Sequence, residues 1–363
     1  MNIAEIDKNF KVESNIDEPD IKFYNVKEAP FDLYGLYNPT VGTDFSRMPV
    51  DVAKNVSEGV NLLNTHTAGG RIRFKTNSRY IAINVTVPSF WVMPHMTMAG
   101  SSGFDMYEKT DNGYKFLKTF YPWEGNFEDE GNMILKKQFE RIIYFDDVRE
   151  RDLIIKFPLY NAVSEVYVGL ENSAEVTGGS KYRDILPIVF YGSSITQGGC
   201  ASRPGMSYND IISRRFDIDY INLGFSGNAK GEEVIARYIA DLPMSIFVYD
   251  YDHNATSTEH LQNTHKPMFD IIREKNPDLP IIMASRPKYY ISEFEIDRRN
   301  IIYDTYKAAK NANDNNVYFV DGQKMFEIFG KDDCTVDGTH PTDLGFMCMA
   351  EAFGKVIEKI LNK

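Results

Sequence analysis

Ser194, His340 and Asp337 are the residue types that nucleophilic acyl transfer requires, and each lies in a segment suited to presenting it. Ser194 stands in Gly192-Ser193-Ser194-Ile195-Thr196, directly after the apolar run 186–191, where a strand should give way to a loop. His340 stands in Asp337-Gly338-Thr339-His340-Pro341, three residues after a carboxylate. A serine hydroxyl needs a base to take its proton, and the base needs an acid to hold one tautomer. Taken singly, each segment has a plainer reading. Ser193-Ser194 could cap a helix or line a phosphate loop, and the histidine segment could be a surface loop ended by Pro341. Together they supply nucleophile (Ser194), base (His340) and orienting acid (Asp337).

Two further segments could stabilise the negative charge that such an attack develops. In Asn222-Leu223-Gly224-Phe225-Ser226-Gly227-Asn228, Gly227 would let its backbone N–H approach a substrate oxygen with no side chain in the way. By itself the segment also fits an ordinary strand-to-loop turn. In Asp250-Tyr251-Asp252-His253-Asn254-Ala255, the Asn254 amide can donate to an oxyanion, a contact worth about 3 kcal/mol in comparable sites. An isolated Asn after a strand otherwise reads as a turn. The backbone N–H of Ser194 completes the expected oxyanion hole.

These residues need a frame, and the chain changes character near residue 180. Beyond it, strand patterns at 188–190, 220–223, 246–249, 281–284 and 317–320 alternate with helical ones at 208–216, 232–239, 261–275 and 298–311, and a last helix is expected from about 343 to 360. Alternating β and α predicts a parallel sheet with helices on both faces. Reactive loops then lie beyond the carboxyl ends of the strands, where Ser194, Gly227 and Asn254 all fall. Before residue 180, period-two runs at 71–75, 80–87, 103–107, 114–121 and 152–157 are separated by turn residues such as Ala68-Gly69-Gly70 and Asp111-Asn112-Gly113. They predict a β-sandwich or jelly roll. The expected organisation is an N-terminal β-domain over 1–175, a linker over 176–187 and a catalytic α/β domain over 188–363.

The segments resemble the blocks of the SGNH (GDSL-type) hydrolase family. Ser194 matches its nucleophile, Gly227 its glycine, Asn254 its asparagine and His340, with Asp337, its Asp-x-x-His block. The resemblance implies a flavodoxin-like α/β domain, no metal or other cofactor, and hydrolysis of small acyl esters through an acyl-serine. It assigns Ser194 N–H, Gly227 N–H and the Asn254 amide to the oxyanion hole. Two departures stand out: Ser193 replaces the usual Asp before the nucleophile, and Asp252-His253-Asn254-Ala255 replaces the usual Gly-x-Asn-Asp. The first half is similar to the GxDLY β-domain that precedes some SGNH domains, through Gly103-Phe104-Asp105-Met106-Tyr107, with Phe157-Pro158-Leu159-Tyr160-Asn161 and the stretch 200–205 fitting the same subgroup.

Composition narrows the partners. The formal net charge of -12 argues against nucleic acid, and no apolar run is long enough to span a membrane. The first eight residues carry acids where a secretory signal needs an apolar core, so a cytoplasmic location is expected. Cys200, Cys334 and Cys348 show no metal-ligand spacing and read as reduced packing residues. His260 and His265 are five apart, which does not suit a zinc pair on a helix. A β-domain beside such a hydrolase resembles carbohydrate esterases that deacetylate plant polysaccharides, and implies a small-molecule or oligosaccharide O-acetyl ester as substrate. Trp123, in a Pro/Gly-flanked segment, could stack on a sugar or pack between domains, whereas Trp91 reads as core. The competing functions are an acyltransferase with the same triad and an inactive carbohydrate-binding protein.

Overall fold

Alternation over residues 188–192 builds the centre of the molecule. Ile188 and Phe190 enter one apolar core and Val189 and Tyr191 another, so this strand is buried on both faces. The computed structural model of the protein describes residues 12, 14–42, 44–124, 134–327 and 329–363.

Among these, the first half carries β1 (Ile21–Asn25), β2 (Asp32–Tyr34), β3 (Arg71–Thr76), β4 (Tyr80–Thr86), β5 (Phe104–Thr110), β6 (Gly113–Phe120), β7 (Trp123–Glu124), β8 (Ile134–Leu135), β9 (Gln138–Tyr144), β10 (Arg151–Lys156), β11 (Glu165–Glu171) and β12 (Val176–Gly178). Two antiparallel sheets form, ordered β1-β11-β4-β9 and β12-β3-β10-β5-β6, with β2 also on β3 and β7 paired with β8. Ile72 and Phe74 of β3, Leu153 and Ile155 of β10, and Ile83, Val85 and Val168 from the other sheet share one core. That shared core makes the half a β-sandwich. The alternate residues of β3, Arg71 and Arg73, are equally buried, on the opposite face. That face is covered by the second half. Arg71 donates to the Tyr220 carbonyl at 3.2 Å and pairs with Asp219.

The second half is a five-stranded parallel sheet in the order β14-β13-β15-β16-β17, comprising β13 (Ile188–Gly192), β14 (Tyr220–Gly224), β15 (Ile246–Asp250), β16 (Ile281–Ala284) and β17 (Val317–Val320). Its chain direction is uniform, with Gly192 level with both Gly224 and Asp250. The helices in chain order are α1 (Val50–Val56), α2 (Glu58–Leu63), α3 (Met98–Ser102), α4 (Ser194–Gln197), α5 (Tyr208–Phe216), α6 (Glu233–Ala240), α7 (Thr258–Lys275), α8 (Glu293–Asn311), α9 (Gly322–Met325) and α10 (Asp343–Leu361). Residues of α6, α7 and α8 pack on one face of the sheet, and residues of α5 and α10 on the other. This is the expected SGNH-type α/β architecture. None of the helices is long and apolar enough to cross a membrane among the described residues.

Three local differences have physical causes. Val176–Gly178, inside the stretch read as a linker, pairs with β3 at Val176–Thr76 and belongs to the sandwich. Helix α8 begins five residues before its expected start because Ser292 and Glu295 form a capping box there. Helices α1 and α2 were not expected. Ser57 ends the first and caps the second, its side chain accepting from Val60 N.

Candidate active site

The end of β13 delivers Ser194. Ser193 caps the short helix α4 by accepting from Ile195 N at 3.1 Å, and Gly198 ends it with φ +110°. The Ser193 hydroxyl thus does here the capping work that an Asp side chain could also do. Ser194 itself is 7% exposed.

Its Oγ lies 3.0 Å from His340 Nε2, and His340 Nδ1 lies 2.8 Å from Asp337 Oδ2. The other carboxylate oxygen accepts from His340 N at 2.8 Å and Thr339 N at 3.0 Å. Burial would raise the Asp337 pKa, but the His340 backbone and ring and the Thr339 N–H outweigh it and hold it at about 2. The i, i+3 spacing brings acid and base together because Gly338 turns the chain with φ +81°. Asp337 thus fixes the ring so that Nε2 faces the serine, which is the arrangement a base needs to take the hydroxyl proton.

Gly227 and Asn254 lie on the neighbouring strand ends. Gly227 has φ +69° and open space around its Cα. Ser194 N, first in its helix, and Gly227 N have no hydrogen-bond partner among the described residues. Asn254 closes a 3₁₀ turn after β15, and its Nδ2 donates to Phe225 O at 2.8 Å, two residues before Gly227. The turn is held by Asp252, which accepts from Arg298 Nε at 2.7 Å and Arg286 N at 3.0 Å, while Arg298 also donates to Ala255 O at 3.0 Å. Asn254 is therefore tied to the glycine loop through Phe225.

The supports of these loops come largely from the first half, and sequence reading missed them. Arg47 is buried beneath the glycine loop. Its guanidinium donates to Asn222 O at 3.0 Å, Gly224 O at 2.6 Å and Leu63 O at 2.6 Å, and lies 4.5 Å from the Phe225 ring. Burial pushes its pKa down to about 9, so it stays charged at neutral pH. Tyr160 donates to Ser194 O at 3.1 Å. Gln197 accepts from Ser226 N at 3.0 Å and donates to Leu159 O at 3.0 Å. The His66 ring lies against Gln197 and, at 5.0 Å, against Trp91. Trp91 was expected in the core; it is 43% exposed, with its backbone N–H donating to Asn161 Oδ1 and its ring packed on His66. Trp123 is half-buried, with its ring 6.2 Å from Tyr121 and its carbonyl accepting from Arg141. Gly125 and Asn126 of the same expected loop lie outside the described residues.

The comparisons with known proteins agree with this geometry. Residues 186–358 match the GDSL-like Lipase/Acylhydrolase family, and residues 21–176 match GxDLY, the N-terminus of SGNH-hydrolase-type esterases. No curated protein matches. Among solved structures, a Bacteroides ovatus ATCC 8483 protein described as a GDSL-like lipase is 29% identical, over 94% of this chain and 98% of that one, with a TM-score of 0.82. Salicylyl-acyltransferase SsfX3 from a tetracycline biosynthetic pathway is 17% identical, over 93% and 96%, with a TM-score of 0.72. The acetyl xylan esterase Est2A of the rumen bacterium Butyrivibrio proteoclasticus is 12% identical, over 94% and 99%, with a TM-score of 0.57. The chain belongs to the GDSL-like (SGNH) hydrolases that carry a GxDLY N-terminal domain. Within that family it is an esterase-type protein.

Proposed function

We propose that the protein is a serine O-acetylesterase acting on acetylated oligosaccharides. One observation carries the catalytic part: the unbroken Ser194–His340–Asp337 relay, at 3.0 Å and 2.8 Å. Ser194 Oγ attacks the ester carbonyl as its proton passes to His340 Nε2, and the Asp337 carboxylate stabilises the imidazolium. The oxyanion meets Ser194 N–H, Gly227 N–H and the second N–H of the Asn254 amide. His340 then protonates the leaving sugar oxygen, and water activated by the same ring releases acetate from the acyl-serine.

The sugar part is supported by the fold shared with an acetyl xylan esterase and by aromatic side chains near the surface, with Trp123 as a sugar-stacking candidate. Free Cys334 and Cys348, with Sγ atoms 4.0 Å apart, fit a reducing, cytoplasmic setting in which imported oligosaccharides are the substrate. The similarity to an acyltransferase favours a second reading, in which a sugar or other alcohol takes the acyl group in place of water.

Acetate release from acetylated manno- and xylo-oligosaccharides, by wild type and Ser194→Ala, tests the proposal. Serine-dependent release from an oligosaccharide is the expected result. Release from 4-nitrophenyl acetate alone would remove the sugar, and acyl transfer to an added acceptor in preference to water would establish the second reading.

A further inference from the structure

Three potential ligand atoms from three distant segments meet beside the catalytic base. His95, Cys200 and His340 each offer a nitrogen or sulfur, and these atoms lie within 4.8 Å of one another. No spacing in the sequence marks them as a set. The rings of His95 and His340 are 5.3 Å apart and inclined at 49°, so they are not a parallel stack. His340 Nδ1 is committed to Asp337, which leaves Nε2 as the nitrogen it can offer.

Cys200 holds an unusual backbone conformation for its type, with φ +73°, although the segment already contains Gly198 and Gly199. A left-handed conformation costs a side-chain-bearing residue about 1–2 kcal/mol, which glycine would avoid. The packing expected from sequence accounts for its burial but not for that conformation.

We propose that His95, Cys200 and His340 bind a thiophilic divalent cation of the zinc type, and that its binding switches the esterase off. The switch, though not the binding, rests on His340 being the catalytic base. Two imidazoles and a thiolate are a ligand set that zinc accepts, with a fourth position open to water or to Ser194 Oγ. Zinc–ligand distances of about 2.0–2.3 Å put tetrahedral donors roughly 3.3–3.8 Å apart. The present spacing must therefore close by about 1 Å, and the exposed His95 side chain is free to move inward.

On binding, the Cys200 thiol loses its proton to solvent as the metal–sulfur bond forms. The His340 Nε2 lone pair passes from the Ser194 hydroxyl to the metal, and no oxidation or reduction takes place. Burial and the charge of Asp337 push the Cys200 thiol up to about 12, so without a metal it stays protonated and is a poor nucleophile. The loss of base function follows directly, since a metal-bound nitrogen cannot take the serine proton.

Cobalt(II) titration of the full chain, read by the thiolate-to-cobalt absorption band, tests binding without reference to turnover. Zinc inhibition of 4-nitrophenyl acetate hydrolysis, with reversal by a chelator, tests the switch. The band should form in wild type and in Ser194→Ala, vanish in Cys200→Ser, and need at least tenfold more cobalt in His95→Ala. Zinc should inhibit wild type at concentrations at least tenfold lower than either ligand variant, each measured against its own metal-free rate. Absence of the band in wild type, or its persistence in Cys200→Ser, would overturn the site. Equal zinc sensitivity in all three active proteins would overturn the switch. A band in a protein with no esterase activity would uphold the site and remove the esterase reading instead.

Discussion

Asn254→Ala tests the oxyanion role proposed for this amide apart from its structural one. The Nδ2 group donates to Phe225 O at 2.8 Å, but that carbonyl also accepts from Asn228 N at 2.9 Å and Ala229 N at 3.1 Å. Truncation therefore leaves no buried carbonyl without a donor, and the stability cost should be about 1 kcal/mol. In a chain of this size that lowers the melting temperature by roughly 2 °C. The 3₁₀ turn should survive, because Arg286 and Arg298 anchor it through Asp252, not through Asn254.

A donor that meets charge only in the transition state contributes about 3–4 kcal/mol, so kcat should fall by about 10²–10³ with KM little changed. Steady-state kinetics on 4-nitrophenyl acetate, beside a thermal melt, reads both quantities. Asn254→Asp provides the stricter comparison. It keeps the shape but presents an acceptor to both Phe225 O and the oxyanion, and should be at least as damaging. A kcat within threefold of wild type in Asn254→Ala would refute the oxyanion assignment. A large kcat loss accompanied by a melting drop of several degrees would trace the effect to the loop.

Three further substitutions test the surrounding argument. In Gly227→Ala an added Cβ meets nothing within 4 Å, so the strain of φ +69°, about 1–2 kcal/mol, is the main penalty. A three- to tenfold fall in kcat is expected, and a loss beyond a hundredfold would contradict the open surroundings. Lys156→Met removes one partner from a buried ion pair between the halves, although Asp210 keeps Arg214 and the Tyr220 hydroxyl. Denaturant unfolding should show a loss of about 3 kcal/mol, and a loss below about 1 kcal/mol would contradict the pair's structural role. Asp337→Asn should cut kcat by about a hundred- to ten-thousandfold. Because the folded pKa of Asp337 is depressed to about 2, its contribution to stability is fully present above the ordinary value near 4 and is lost as pH falls through about 2. The part of the stability gap between wild type and Asp337→Asn that comes from the carboxylate's own titration should thus be lost only below about pH 4, as pH falls through about 2. A gap that closed already between pH 5 and 4 would contradict the depressed pKa.

Much of the catalytic half was legible because its determinants are local. Buried parallel strands are short apolar runs, and all five expected ones occur, at 188–192, 220–224, 246–250, 281–284 and 317–320. Asp337 and His340 are three residues apart, so their spacing alone carries the pair. What escaped reading depends on contacts across long sequence separations. Arg47 looks like any surface arginine until its guanidinium is found on Asn222 O and Gly224 O, 175 and 177 residues away. Even the motif that was visible did not disclose its work. Asp105 of the GxDLY segment accepts from Arg203 Nη1 at 2.8 Å and Gly205 N at 2.8 Å, and a Cβ on Gly205 would strike Tyr107 Oη. The motif thus clamps the hydrolase loop that follows Cys200.

The same contacts bear on why the two halves stay joined in one chain. Arg47 supports the strand leading to Gly227, Tyr160 braces the Ser194 carbonyl, and Asp105 fixes the loop after Cys200. Each acts on a different loop of the site, and each comes from the β-sandwich half. A parallel sheet ends in loops that have no ladder to hold them, so their placement to within a fraction of an ångström needs outside partners. Here Asp105 stands on the sandwich face that carries Arg71 and Arg73, and Arg47 and Tyr160 lie in connections of the same half. The β-domain is therefore part of the frame that positions the candidate site.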